Sequence, residues 1–310
     1  MKIDLSLLKD KNVKVLGHKN ADFDAMTSGV ILDYIFKKLG INSEYVIEDG
    51  LYDPYFMEIT QRYNIDFHVG NNVANNDVLF LVDHTATYEN EIVGCFDHHP
   101  PVVEIKNNFV YLTQTSCAKI VCDYANELGI EIPDNFRLLA VYACYLDSLS
   151  FKSTKSVASD LEWCREIMRE LGMDEEEVTI YGYCLTDLSQ PYEDIVYTGL
   201  KSYPLNDGNV LKSSYAIIKD DNDIDLQKII SILSKDIVND VKAWCFLIHN
   251  VAHDTTITLL IRKNETNIVH SYDLLSRGKT VIPPTLATLN DGVEYHLQGE
   301  FKSSIVKHWR

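Results

Sequence analysis

The chain has 310 residues, 46% hydrophobic and 24% charged, as in an ordinary globular protein, and this length suits two domains because single cores stop growing at about 250 to 300 residues. Its 46 acidic against 28 basic residues give a formal net charge of -18, which repels nucleic-acid backbones, so an anionic ligand must be met by local cations or bound metal. Seven Cys without a Cys-x-x-Cys pair argue against a disulfide framework or zinc knuckle, and the lack of a signal-like or membrane-spanning apolar stretch predicts a cytoplasmic protein.

The apolar run Val13–Leu16 predicts a buried strand, and Met26, Val30, Ile31, Ile35 and Leu39 recur at helical spacing before a stop at Gly40. Between them, residues 17–28 read GHKNADFDAMTS and place His18, Asp22 and Asp24 on a strand-to-helix turn, where open α/β sheets carry their chemistry. An imidazole beside two carboxylates suits a divalent metal. The two Asp could equally cap the helix with His18 in a loop, and this cluster alone leaves the two readings level.

Residues 41–47 predict a short strand, followed by an irregular acidic and aromatic stretch over 48–56. Val78–Val82, VLFLV, has the continuous apolar character of a strand buried on both faces, and it ends in Asp83 and His84. A second run over 92–96 ends in Asp97, His98, His99 and Pro100. Two adjacent imidazoles after a carboxylate at a strand end serve no evident packing purpose. Asp97 is expected to accept a hydrogen bond from a metal-bound His98 and fix its tautomer, with His99 pointing the other way towards substrate.

Helices are expected over 116–128, between the cap Ser116 and the stop Gly129, and from a capping Asp134 through Leu138, Leu139, Val141, Tyr142 and Leu146 to Asp147. A third follows Ser156 as cap, with Val157, Leu161, Cys164, Ile167, Met168 and Leu171 on one face and Gly172 as stop. Asp147 ends an apolar helix face, where a buried, ionised, unpaired carboxylate is costly; a metal or cation resolves this, and a solvated helix terminus is the alternative. Cys122, Cys144 and Cys164 fall among apolar neighbours as reduced core residues. The polar stretch LTDLSQPYE over 185–193 reads as a linker, and beyond it strands over 212–218, 243–248 and 256–261 with a helix over 225–237 predict a smaller α/β domain with a mixed sheet. His253, His270, His296 and His308 lie outside any cluster.

In this order GHKNADFDAMTS, LVDH, DHH and YLDSLSFKS resemble the four motifs of the DHH phosphoesterase superfamily. With SRGKTVIPP over 276–284, similar to a Ser-Arg-Lys-Lys stretch followed by Val-Pro, most of the chain resembles the manganese-dependent (family II) inorganic pyrophosphatases. The Gly-Gly-Gly-His type motif of relatives that degrade short RNAs or cyclic dinucleotides is absent from the sequence. The resemblance implies a parallel-sheet DHH domain over 1–187, a linker over 188–192 and a C-terminal substrate-binding domain over 193–310, with the active site in the cleft between them.

It also implies roles. His18, Asp22 and Asp83 would bind one metal and Asp24, Asp83, His98 and Asp147 a second, with Asp83 bridging and Asp97 behind them. A water or hydroxide between the ions would be the nucleophile. His99 would contact the phosphate or protonate the leaving group, and Lys201, Arg277 and Lys279 would bind substrate. The implied cofactors are two manganese ions, with cobalt or magnesium accepted by the same ligands, and a further magnesium or manganese arriving with substrate. The expected activity is hydrolysis of pyrophosphate or a short polyphosphate by a cytoplasmic homodimer. The alternatives are an exopolyphosphatase or other small-phosphoester hydrolase and, from another class, a phosphometabolite-binding protein without turnover, which would normally lack a metal ligand. Here every ligand position is filled.

Two departures stand out. Phe23 separates Asp22 from Asp24 where the family has a small residue, and is expected to reshape the mouth of the site. Gly278 occupies the position of a lysine, and such a charge-assisted hydrogen bond is commonly worth about 1.5 to 3 kcal/mol.

Overall fold

The computed structural model describes residues 1–272 except 2, 49, 154–155, 199, 205–208, 220–223, 238–240, 253–254 and 263–264. Two compact units result. The first comprises Met1–Phe151 and Lys155–Gly182, and the second the described residues from Tyr183 onward with Lys152 and Ser153.

In the first unit β1 (Val13–Leu16), β2 (Ser43–Val46), β3 (Val78–Val82), β4 (Ile92–Asp97) and β5 (Phe109–Tyr111) form one parallel sheet in the order β2-β1-β3-β4-β5. The apolar run of β3 divides by alternation. Val78, Phe80 and Val82 join the large core, whereas Leu79 and Leu81 join a smaller cluster with Leu16, Val46, Cys95 and Ile105. The large core lies against α1 (Phe23–Lys38), α2 (Pro54–Arg62), α3 (Cys117–Glu127), α4 (Asp134–Asp147), α5 (Ala158–Leu171) and α6 (Glu175–Gly182). Loop residues Val73, Tyr88 and Val103 pack on the smaller cluster. Because β1 has β2 on one side and β3 on the other, the chain reverses its direction of travel between them, and the carboxyl ends of β1 and β3 flank the resulting crevice.

The expected caps hold in part. Asp22 Oδ1 accepts the Ala25 N–H, Ser116 Oγ accepts the Lys119 N–H, and Gly172 closes α5 in the left-handed conformation at φ 67°. Asp134 is the first helical residue of α4 after Pro133, and α5 follows Val157 without a side-chain cap, so neither Asp134 nor Ser156 caps as expected. In both cases the backbone enters the helix one or two residues away from the polar side chain. The stretch expected to be irregular up to residue 56 already contains the start of α2. Asp53 Oδ1 accepts the Phe56 N–H at 2.8 Å and Pro54 occupies the first turn, a local signal that outweighs the aromatic composition.

The second unit contains α7 (Tyr192–Tyr197), β6 (Lys201–Pro204), β7 (Val210–Ile218), α8 (Leu226–Lys235), β8 (Val241–Asn250), β9 (Thr255–Arg262) and β10 (Glu265–Tyr272). Its sheet runs β10-β9-β8-β7-β6, with β7 and β8 parallel and the other pairs antiparallel, so it is mixed as the sequence suggests. Asp225 caps α8 through the Gln227 and Lys228 N–H groups, and Ile229, Ile232 and Leu233 bury its apolar face with Trp244, Phe246 and Leu259. Among the described residues no helix is long and apolar enough to cross a membrane. Cys95, Cys117, Cys122, Cys144 and Cys164 are buried free thiols.

The sheet core is tightly closed where Gly94 of β4 faces Phe80 of β3. A Cβ at residue 94 would lie 2.2 Å from Phe80 Cε2, and that ring is wedged between Phe36 and Phe96 at centroid distances of 5.1 and 5.3 Å. Gly94→Ala is therefore expected to destabilise the first unit by about 1–3 kcal/mol, read as a lower urea midpoint at unchanged slope.

Candidate metal centre

Three strand ends and one helix end deliver the polar residues. His18, Asp22 and Asp24 follow β1, Asp83 follows β3, His98 and His99 follow β4, and Asp147 closes α4. Asp83 turns out of its strand at φ 65°, the left-handed region that only short polar residues and glycine visit readily, and its N–H is held by Phe96 O at 2.9 Å. Such backbone costs of order 1–3 kcal/mol and persists where the surroundings impose it.

The turn gives each Asp83 oxygen a different neighbour. Oδ2 lies 3.7 Å from His18 Nε2, which is also 3.6 Å from Asp22 Oδ1. Oδ1 lies 3.2 Å from His98 Nε2, which is 3.7 Å from Asp24 Oδ2 and 3.6 Å from Asp147 Oδ2. These residues fall into donor groups that share members: His18 with Asp22 and Asp83, Asp83 with His98 and His99, and Asp24 with His98 and Asp147, so that Asp83 and His98 link them.

Backbone groups aim the imidazoles. His18 Nδ1 donates to Lys19 O at 2.9 Å and His98 Nδ1 to Gln114 O at 3.0 Å, which turns both Nε2 atoms towards the acids. Asp24 is aimed from the opposite direction, because its Oδ2 accepts the Cys117 N–H at 2.7 Å and its Oδ1 the Ala118 N–H at 2.9 Å. The start of α3, with its positive dipole end, thereby holds a buried negative charge. Sequence reasoning identifies Ser116 as the cap of this helix but misses that the same turn grips Asp24, 93 residues earlier in the chain. It also misses Gln114, whose contribution is a main-chain carbonyl that any residue type would supply.

Three expectations change. Asp97 does not support His98; its Oδ1 accepts the His99 N–H at 2.9 Å and His99 Nδ1–H at 3.1 Å. The cause is a bend after β4, which folds the second histidine back over the carboxylate. For the same reason the two rings do not point apart, and their centroids are 4.1 Å from each other. Phe23 does not line the mouth: it is 4% exposed, with its ring against Phe56 at 5.5 Å and Tyr142 at 6.4 Å in the core. Lys201 opens β6 of the second unit, and Arg277, Gly278 and Lys279 lie outside the described residues.

The electrostatics test whether these donors suit a cation. Asp24 and Asp83 are buried, and among the described residues neither has a Lys or Arg partner. Burial first, then the charges of Asp147 and Asp22, push the Asp24 carboxyl up to about 6 against the pull of His98. Burial, followed by the charges of Asp24, Asp22 and Asp147, pushes Asp83 well above the ordinary carboxylate range. His18 is raised to about 9, chiefly by its hydrogen bond to Asp22. Burial pushes Asp22 upward, but the hydrogen bond and charge of His18 outweigh it and the net shift is downward. Asp83 Oδ1 and His98 Nε2 are buried without a hydrogen-bond partner although they face each other. A hard or borderline divalent cation satisfies both atoms and neutralises the crowded acids, so the donor set fits such an ion.

Residues 12–145 match the DHH family, N-terminal domain. A Lactobacillus acidophilus protein named probable manganese-dependent inorganic pyrophosphatase is 23% identical over 312 residues, covering 89% of this chain and 98% of its own length. A Bacillus cytotoxicus protein of the same name is 25% identical over 297 residues, covering 87% and 92%. In fold, the chain is similar to a Methanococcus jannaschii structure assigned as a family II inorganic pyrophosphatase, with a TM-score of 0.62 at 20% identity over 88% of this chain and 97% of the other.

A cation at these acids must displace protons, and this sets the sign of a pH effect. In the metal-free protein the raised Asp24 contributes stability below the ordinary carboxylate value and loses it as pH rises through about 6. A divalent cation such as manganese, if bound there, is expected to reverse that loss. At about a hundredfold excess over Kd it is expected to stabilise the fold by about 2.7 kcal/mol at pH 7.5, and clearly less at pH 5.5 where protons compete. Thermal melts with manganese and with chelator at the two pH values check this; an equal Tm increment at both would contradict it.

Proposed function

We propose that this chain, whose residues 12–145 match the DHH family, N-terminal domain, is a manganese-dependent phosphohydrolase whose substrate is inorganic pyrophosphate, cleaved to two phosphates. The coarser part, a divalent-metal hydrolase of the DHH phosphoesterase superfamily, accords with the matched family and with relatives named manganese-dependent. The observation that carries the finer reading is the division of Asp83, one oxygen towards His18 and the other towards His98, whose Nε2 in turn lies beside Asp24 and Asp147.

On this reading His18, Asp22 and Asp83 hold one divalent ion and Asp24, Asp83, His98 and Asp147 the other. Two such ions supply an activated water and neutralise charge on the phosphoryl oxygens. The protein's own part is positional. The α3 N–H groups fix Asp24, the Lys19 and Gln114 carbonyls fix the imidazoles, and the Asp83 turn sets the spacing of the two groups. His99, with its side chain 40% exposed, contacts the phosphate or protonates the leaving group. Lys201, Arg277 and Lys279 meet the remaining substrate charge, an assignment that rests on the resemblance alone. A cytoplasmic homodimer belongs to the same reading and has the same support.

Gly278 favours a second reading, an exopolyphosphatase of the same superfamily, because a missing cation weakens grip on the compact, highly charged pyrophosphate. Phosphate release with manganese, compared among pyrophosphate, tripolyphosphate, long polyphosphate and a short oligonucleotide at equal concentration, tests the choice. Pyrophosphate is expected to be turned over fastest. Faster release from long polyphosphate would replace the first reading by the second, and cleavage of the oligonucleotide alone would overturn both.

Asp83→Ala removes the shared ligand. It is expected to lower kcat by at least about 100-fold, the upper end of what loss of a mere supporting partner costs, with the second unit's fold unaffected. Full activity in this variant would rule out the two-ion arrangement.

A further inference from the structure

Asp97 is the last residue of β4, its side chain is 1% exposed, and it belongs to neither donor group around His18 and His98. Its Oδ1 accepts two bonds from one residue, the backbone N–H of His99 at 2.9 Å and the ring Nδ1–H at 3.1 Å. The first closes a turn of the kind Asp makes with the backbone two residues on, and the second clamps the ring to that turn. Asp83 Oδ1 is also near the same nitrogen, but farther away at 3.5 Å. A carboxylate oxygen accepts from the ring N–H, so this arrangement keeps a proton on Nδ1 and fixes the plane of the ring. His98 is governed separately by Gln114 O. The neighbouring imidazoles therefore have different masters and different exposures, 2% for the His98 side chain and 40% for that of His99.

We infer that Asp97 is a positioning residue for His99: by accepting both the backbone N–H and Nδ1–H it fixes the orientation of the ring at the phosphate, and it acts on turnover through His99 and not through the metal ligand His98. The contact of His99 with a phosphate rests on the function proposed above; the Asp97–His99 assignment rests on the bonds.

The test combines a mutant cycle with a spectrum. Asp97→Ala is expected to lower kcat for pyrophosphate by about 10–100-fold while manganese affinity stays within about twofold. His99→Ala should lower kcat at least as much, and the double variant no further than His99→Ala alone. Asp97→Asn, whose amide oxygen still accepts Nδ1–H, should lie between wild type and Asp97→Ala. If the alanine variant fails to fold, Asp97→Asn carries the comparison. Loss of manganese affinity by about tenfold or more in Asp97→Ala, or effects that multiply in the double variant, would overturn the inference. Imidazole nitrogen NMR on the magnesium-loaded protein provides a readout free of turnover. His99 Nδ1 should carry a proton in wild type and do so only in part in Asp97→Ala. A bare His99 Nδ1 in wild type would sink the assignment. If wild type hydrolyses none of the phosphates, the functional reading fails and the spectrum still decides the Asp97–His99 pairing.

Discussion

The constraint on which this molecule turns is the confinement of like charges. Asp24 and Asp83 are buried together with His98, and Asp147 Oδ2 lies 3.6 Å from the same imidazole nitrogen. Two carboxylates about 4 Å apart repel by about 4 kcal/mol at the effective dielectric of a protein, against a total stability of about 5–15 kcal/mol for a domain. No fold tolerates that from a loose scaffold. The tolerance comes from the sheet, whose central strands β1, β3 and β4 have almost entirely buried side chains and leave their ends no freedom to move apart. Core packing thus forces the acids together, and the raised proton affinity of Asp24 and Asp83 is the demand that a divalent cation answers.

The main chain orients the ligands. His18 and His98 are each tied through Nδ1 to a carbonyl, and Asp24 is tied through both oxygens to N–H groups. These partners carry no side-chain identity. Substitution at Lys19, Gln114, Cys117 or Ala118 therefore leaves the geometry intact as long as the backbone holds its course. Phe23 illustrates the same independence. Its backbone continues α1 between two candidate ligands while its ring leaves the site for the core, so a change of side chain there alters packing and not the metal-facing surface.

What the sequence made legible was what local chemistry dictates. The strand Val78–Val82, the helix after GHKNADFD and the stops at Gly40 and Gly172 follow from periodicity and from positive φ. The clustering of His18, Asp22, Asp24, Asp83, His98 and Asp147 could be argued because each follows an apolar element, and parallel strands bring such ends to one edge. Asp97 could not be assigned correctly, since the choice between His98 and His99 depends on a bend of two residues that no period encodes. The α2 helix carried a readable signal, Asp53 before Pro54, which the surrounding aromatics obscured. In the second unit Lys201 is one exposed-type residue on a strand, and no local pattern distinguishes it from any other lysine.

Charge also explains why the second unit's cations matter on the proposed reading. Asp22, Asp24, Asp83 and Asp147 together carry four negative charges when ionised, and two divalent ions carry four positive ones. The loaded centre is then near neutral and attracts a polyphosphate only weakly at long range. The chain as a whole, at -18 before any ion binds, repels it. On the proposed reading binding must therefore come from short-range contacts that follow desolvation and replace water around phosphoryl oxygens. Under that demand each cation weighs heavily, and on the proposed reading Gly278, where the resembled family has a lysine, bears on substrate choice more directly than the retained candidate metal ligands do.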